Sequence, residues 1–244
     1  LFLTFRSLYG ISYSLLGLLV LINFVTQLIV DLIFSFFSHK FHIAKTVKSI
    51  PLIAVFGFLV YALFPFFFPD HVYVGLVIGT VIFSAASGLA EVLISPVIAA
   101  IPADDPDKEM SKLHSIYAWG VVFVIVVSTV FLLLAGGEYW QILALLFMLI
   151  PLLSAFLFFG SEIPAMETPK QTAGALKLLR NKGVWLSVFA IFLGGAAEVT
   201  MAQWASSYIE QALSLPKIWG DIFGVAIFAV TIAAGSSVIW QPSG

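Results

Sequence analysis

The chain has 244 residues, of which 61% are hydrophobic and 10% are charged, and its formal net charge is −2. A soluble domain is about 45–50% apolar and about 25% charged, so this composition excludes a water-soluble globule. The sequence contains no cysteine, which excludes a disulfide scaffold, thiolate zinc sites and cysteine nucleophiles. Because the net charge is slightly negative, we expect no nucleic-acid partner.

The sequence is dominated by long apolar runs separated by short connections. A transmembrane helix needs about 20 apolar residues to cross a hydrocarbon core of about 30 Å. We predict seven membrane spans, at 15–37, 51–68, 73–101, 113–135, 140–159, 184–212 and 217–239. The chain begins with leucine rather than methionine, and residues 1–5 look like the end of an earlier span. We therefore expect a fragment of a longer multi-pass membrane protein.

The basic residues indicate which side of the membrane each connection faces. Lysine and arginine in short connections mark the cytoplasmic side. All basic residues except Arg6 and Lys217 fall in three alternate connections, 38–50, 102–112 and 160–183. We therefore expect these three loops in the cytoplasm and the protein in a cell membrane, either a plasma membrane or an inner membrane.

The longest connection is the one clear change in composition, since it is rich in proline and charge. It predicts two helix bundles, 1–160 and 184–244, joined by a cytoplasmic loop at 161–183. Within this loop, Ala173–Asn181 fits either a short amphipathic helix on the membrane surface or a flexible polar linker.

Polar residues recur at helical spacing in two of the spans. In the first span, Asn23, Gln27 and Asp31 lie on one face. In the third span, a second stripe consists of Thr80, Ser84, Ser87, Glu91 and Ser95. Because polar side chains avoid lipid, we expect both stripes to face the bundle interior or a water-filled cavity. For the hydroxyl residues, hydrogen bonding between helices is the favoured role.

Small and aromatic residues predict packing and anchoring. The pairs Gly75 with Gly79 and Gly220 with Gly224 have the spacing that lets helices approach closely. Tryptophan is enriched at membrane interfaces. We therefore expect interfacial anchors at Trp119, Trp140, Trp185 and Trp219.

Two glutamates, Glu91 and Glu198, lie near the middle of their apolar runs. A charged acid at that depth costs about 2.5–3.5 kcal/mol. Such a carboxyl can load and release protons near neutral pH, and the alternative is a structural glutamate that stays protonated or hydrogen-bonded. Trp204 follows Glu198 at a short distance and could stack on a ligand. The sequence has no phosphate loop, zinc-spaced histidine pair or Ser/His/Asp set, so we expect no enzyme, cofactor or metal site.

The stretch Gly88–Pro96 resembles the fourth helix of the fucose permease-like sugar symporters, a group of the major facilitator superfamily. In that group the glutamate couples proton to sugar, which implies this role for Glu91. The stretch Gly194–Glu198, with Trp204 and Tyr208, resembles the seventh helix of the group. The resemblance implies an all-α membrane protein with a truncated major facilitator-type bundle, running from the end of helix 1 to helix 8.

The superfamily's loop signature after helix 2, Gly-x-x-x-Asp followed by Gly-Arg-Arg, is degenerate in this chain. Asp31 is present, Gln27 replaces the glycine, and the basic end comes late, at residues 39–41. Its place in this signature implies that Asp31 acts as a gate at the cytoplasmic end of its helix. We expect it near the start of the 113–135 span or near the loop that precedes this span.

The residues and the resemblance together predict a secondary transporter that couples symport of a sugar or similar small polar solute to protons, by alternating access. The partners are then the solute, the proton and the lipid bilayer. Glu91 and Glu198 are the predicted proton-coupling residues, and the predicted solute contacts are Asn23, Gln27 and Trp204. Three alternatives stay open: an efflux antiporter of the same superfamily, a seven-helix receptor and a purely structural membrane subunit.

Overall fold

The structure is a computed structural model that describes residues 1–164, 180–214, 217–220 and 230. In these ranges the regular elements are all helices. In chain order they are α1 (Phe2–Tyr9), α2 (Tyr13–Phe37), α3 (Ile43–Phe67), α4 (Val72–Ala100), α5 (Pro106–Ala135), α6 (Trp140–Gly160), α7 (Lys182–Ala212) and α8 (Lys217–Gly220). Short 3₁₀ turns lie between α2 and α3, between α3 and α4, and between α5 and α6.

Six helices of the described part, α2 to α7, are long and apolar enough to cross a membrane. This confirms an all-α membrane protein and six of the predicted spans. The seventh, 217–239, lies largely outside the described residues. The predicted start of α3 was wrong, since this helix begins at Ile43 rather than at residue 51. Lys45 and Lys48 interrupt the apolar run there, but the helix continues through them and buries Val47.

Backbone packing divides the chain into two compact units. The first unit comprises residues 1–104 and 131–168, and the second comprises residues 105–130 and 169–244. The division into bundles on either side of a cytoplasmic loop stays a prediction. The segment Ala173–Asn181 falls largely outside the described residues.

The core of the first unit is built around α4, which packs against α3 on one side and against α2 on another, while α6 packs on α3. Buried apolar residues form two clusters toward opposite ends of α2 and α4. The first apolar cluster consists of Phe5, Ile11, Leu16, Leu19, Val72, Leu76 and Trp140. The second apolar cluster consists of Phe34, Val47, Ile50, Ala86, Leu93 and Val97.

Trp140 does not act as the interfacial anchor that its position predicted. It is fully buried at the start of α6, with its ring centroid 4.8 Å from that of Phe5 in an edge-to-face arrangement. Its indole Nε1 donates to the hydroxyl of Tyr9 at 2.8 Å. Because α1 supplies both an aromatic face and a polar partner, the indole is satisfied inside the protein. The hydropathy pattern carried no signal of this partner.

The contact between α3 and α4 depends on residues without side chains. A Cβ at Gly79 would lie 2.6 Å from the Cα of Tyr61, and a Cβ at Gly57 would lie 2.6 Å from the backbone nitrogen of Phe83. A Cβ at Gly75 would also overlap a side chain of α3. The prediction of close helix packing at Gly75 and Gly79 is therefore confirmed. Of the predicted pair Gly220 with Gly224, the second residue lies outside the described ranges, so this pair stays a prediction.

We predict that Gly79→Ala destabilises the protein by about 1–3 kcal/mol, the usual cost of overpacking a well-packed interior. The added methyl group meets the backbone of α3, which cannot rotate away. Gly17→Ala on α2 is the matched control, because nothing lies within 4 Å of a Cβ at that position. Denaturation of the full-length protein in detergent measures the difference, and equal stability of the two variants would contradict the described contact.

One side-chain contact joins the start of α3 to the end of α6. Nζ of Lys48 donates to the carbonyl oxygen of Phe159 at 3.4 Å, where a cation also interacts favourably with the helix C-terminus. The connection from α2 to α3 and the end of α6 therefore lie at the same end of the first unit. This agrees with their predicted shared side of the membrane.

We predict that His39→Cys, between α2 and α3, is labelled by a membrane-impermeant maleimide only after cells are permeabilised. Asp70→Cys, between α3 and α4, is the matched variant and should be labelled in intact cells, because one span separates the two positions. Both positions are exposed, and no native cysteine of this sequence competes for the label. The opposite labelling pattern would overturn the predicted orientation.

Candidate functional site

The helices α2 and α4 meet through polar side chains midway along their lengths. Oγ of Ser84, which is fully buried, donates to Oδ1 of Asn23 at 2.6 Å. Nε2 of Gln27 donates to the same oxygen at 3.4 Å. We call this region the polar crossing, and it comprises Asn23, Gln27, Asp31, Ser84, Gly88 and Glu91.

The two helices run in the same direction, so their stripes meet residue by residue. The hydroxyl of Tyr73 near the start of α4 donates to the carbonyl oxygen of Leu15 near the start of α2, at 2.9 Å. Farther along, Ser84 reaches Asn23. Asn23 and Ser84 each lie about 3 Å before the midpoint of their own helix, because a helix rises 1.5 Å per residue. The hydrogen bond between Ser84 and Asn23 is therefore deep inside the span.

Gly88 is the point at which α2 comes closest to α4 in this region. A Cβ at Gly88 would lie 3.1 Å from the carbonyl oxygen of Gln27 and 3.2 Å from Oδ1 of Asp31. Without a side chain on α4 at this position, the backbone of α2 and the carboxyl of Asp31 can lie against it. Sequence reasoning missed this role. The only available signal was that Gly88 follows the stripe residue Ser84 at helical spacing.

The polar crossing contains two carboxyl groups. Oδ1 of Asp31 is buried and has no hydrogen-bond partner among the described residues. Glu91 follows Gly88 by three residues on α4, so it lies on the same side of that helix, about one turn beyond the glycine that faces Oδ1 of Asp31. Neither α2 nor α4 contains lysine, arginine or histidine. No cation on these two helices therefore balances the acids.

The hydroxyl stripe of α4 divides between two environments. Thr80 and Ser84 are buried, whereas Ser87 and Glu91 are exposed. Ser87 lies about 2.5 turns from the exposed apolar residue Ile78, at 3.6 residues per turn, so the two occupy opposite sides of the helix. The exposed polar residues thus avoid the side of α4 that presents aliphatic groups, as a face toward water or solute requires.

The remaining predicted site residues lie on α7, in the second compact unit. Trp204 is partly buried. Glu198 is on the same helix, and its side chain is outside the described part of the structure. The structure therefore places the predicted residues of α2 and α4 in one region, and the roles of all the predicted site residues stay predictions.

We predict that Ser84→Ala lowers the free energy of unfolding by about 0.6 kcal/mol and by no more than about 1.7 kcal/mol. These are the mean and maximum values for hydrogen bonds between transmembrane helices. Ser87→Ala on the exposed side of α4 is the control and should cost less. A double-mutant cycle with Asn23→Ala, measured by denaturation in detergent, isolates the pair. A coupling energy of zero would contradict the hydrogen bond.

Comparison with known proteins identifies the family. The family profile described as Major Facilitator Superfamily matches residues 1–242. No curated protein and no solved structure matches the chain. The profile covers nearly the whole sequence, and the helical fold with its apolar spans agrees with it. The likeness to the fucose permease-like group within the superfamily stays a prediction. The chain belongs to the major facilitator superfamily, whose members are membrane transporters.

Proposed function

We propose that this transporter is a symporter that couples the movement of a sugar or similar small polar solute to protons. One observation carries the proposal. A carboxyl group, Glu91, lies within a membrane-spanning helix about one turn beyond Gly88, which faces Oδ1 of Asp31 on the neighbouring helix, and neither helix supplies a cation.

The chemistry of Glu91 supports a proton-carrying role. An ionised acid inside a span is costly without a counter-charge, and binding a proton removes that cost. Glu91 is also exposed rather than enclosed by neighbouring side chains, so a proton has access to it. A purely structural glutamate would instead be expected to form a hydrogen bond within the helix bundle.

The amides of the polar crossing support a hydroxylated solute. Asn23 uses its Oδ1 as an acceptor, and Gln27 uses its Nε2 as a donor. The opposite ends of both amides, Nδ2 of Asn23 and Oε1 of Gln27, form no hydrogen bond with a described residue. A side-chain amide can donate to and accept from hydroxyl groups. An apolar drug, which an efflux antiporter would carry, forms no hydrogen bonds with such groups.

The second part of the chain completes the proposal. Trp204 on α7 would stack on the ring of the solute, and Glu198 would be the next acid in the coupling pathway. Alternating access would move helices of the two halves around the solute. Asp31 is proposed as a gate through its place in the superfamily's loop signature. Its expected neighbour, the start of the 113–135 span, belongs to the second compact unit.

We predict that Glu91→Gln abolishes solute accumulation driven by a proton gradient but preserves exchange between equal pools. The amide keeps the shape and hydrogen bonding of the side chain and removes its titration. Full-length protein in liposomes is first tested with a panel of radiolabelled hexoses and pentoses under an imposed pH gradient, and the variant is then tested with the solute that accumulates.

The control for this experiment is Glu138→Gln, at an exposed acid in the connection before α6, which should accumulate solute like the wild type. Accumulation at the wild-type level in Glu91→Gln would remove this residue from the mechanism and make Glu198 the next candidate. Proton-driven extrusion of apolar dyes, without accumulation of any sugar, would favour the efflux antiporter instead.

A further inference from the structure

We propose that Asp31 and Glu91 form one proton-holding pair, in which a single proton is shared across the contact between α2 and α4. The proposal rests on the proposed proton-coupled function for its purpose. It adds a residue from a second helix, Asp31, as the positioning partner of Glu91. Binding of the proton would then change the interactions of α2 as well as those of α4.

The geometry of the polar crossing places the two acids at the same depth. Asp31 lies about 9 Å beyond the midpoint of α2, and Glu91 lies about 8 Å beyond the midpoint of α4, at 1.5 Å per residue. The helices run in the same direction, as the contacts of Tyr73 with Leu15 and of Ser84 with Asn23 show. Gly88, directly before this level of α4, leaves room for the carboxyl of Asp31.

Neither helix of the pair supplies a compensating cation. The ionisable residues of the three helices packed together here are Tyr13 and Asp31 on α2, Tyr73 and Glu91 on α4, and Lys45, Lys48 and Tyr61 on α3. The hydroxyl of Tyr73 donates to the carbonyl oxygen of Leu15 near the opposite end of α4. Nζ of Lys48 donates to the carbonyl oxygen of Phe159 at the end of α6. Of the ionisable residues on α4, Glu91 lies at the depth of Asp31, and it has the same sign of charge.

A shared proton removes two unfavourable terms, the repulsion between two carboxylates and the burial of an oxygen atom without a hydrogen-bond donor. Two neighbouring carboxylates in a medium of low dielectric constant disfavour double ionisation, so one of them binds a proton. The buried Oδ1 of Asp31 lacks a donor, and a protonated Glu91 carries the O–H group that could supply one. The proton comes from water on one side of the membrane and returns to water on the other, so no other reactant is needed.

The pair is tested by infrared spectroscopy of the full-length transporter in lipid vesicles, which follows the protonated-carboxyl C=O band as the pH is raised. We expect the band to persist to a pH at least about one unit higher in the wild type than in Asp31→Asn or Glu91→Gln, because strongly interacting acids titrate as a pair. The double variant should lose the band, and Glu138→Gln should behave like the wild type.

The geometry of the pair is tested by Gly88→Ala, whose added methyl group would lie 3.2 Å from Oδ1 of Asp31. We expect its band to titrate like that of the single acid variants. Gly17→Ala, in open space on α2, should not change it. If Asp31→Asn fails to fold, as judged by size-exclusion chromatography, Asp31→Glu keeps the carboxyl group and should retain the wild-type titration.

The proposal is overturned if the band titrates in Asp31→Asn, or in Gly88→Ala, at the same pH as in the wild type, since Glu91 would then be independent of α2. It is also overturned if Asp31→Glu folds but loses the wild-type titration. These measurements need neither solute nor transport. A coupled pair in a protein that accumulates no sugar would therefore refute the proposed function alone, and uncoupled acids in a working symporter would refute the pair alone.

Discussion

A polar group that enters the hydrocarbon of a membrane needs a partner inside the protein, and in this chain that requirement determines how α2 meets α4. Asn23 lies in a helix whose other exposed residues are almost all apolar. It therefore turns toward Ser84, the buried hydroxyl on α4 that can donate to it. The same turn of α2 brings Gln27 and Asp31 onto the contact, because the three residues share one face. The arrangement of the polar crossing thus follows from the hydrogen bond that the side-chain amide of Asn23 needs inside the protein.

The opposite side of α4 follows a different rule. Between α3 and α4 the contact is made by removing side chains, and the backbones approach at Gly57, Gly75 and Gly79. Van der Waals packing of this kind holds helices together where lipid is as apolar as the protein. One face of α4 is therefore fixed by shape, and the other by hydrogen bonds. The proposed site residues of α4 lie on the polar face, away from the face that packs closely on α3.

Hydropathy and periodicity predicted much of this architecture, and the failures have physical causes. Six spans were predicted correctly because their composition is strongly apolar. The helix α3 begins earlier than its apolar run, because Lys45 and Lys48 are compatible with a helix but not with the hydrocarbon core of a membrane. Periodicity also grouped Asn23, Gln27 and Asp31 correctly. It could not say which helix they meet, because partner choice depends on tertiary packing. The role of Gly88 and the burial of Trp140 were missed for this reason.

The position of Gly88 has a mechanical consequence. The first apolar cluster lies before the polar crossing, and the second includes Ala86 and Leu93, which precede and follow Gly88 on α4; packed side chains in these clusters resist sliding. At Gly88 the helices touch through backbone and a carboxyl group, with no ridge to cross. Because α4 presents no side chain to α2 at Gly88, the two helices can shift against each other at this point more easily than where side chains interdigitate. A small tilt of α2 would then move the carboxyl group of Asp31 relative to α4.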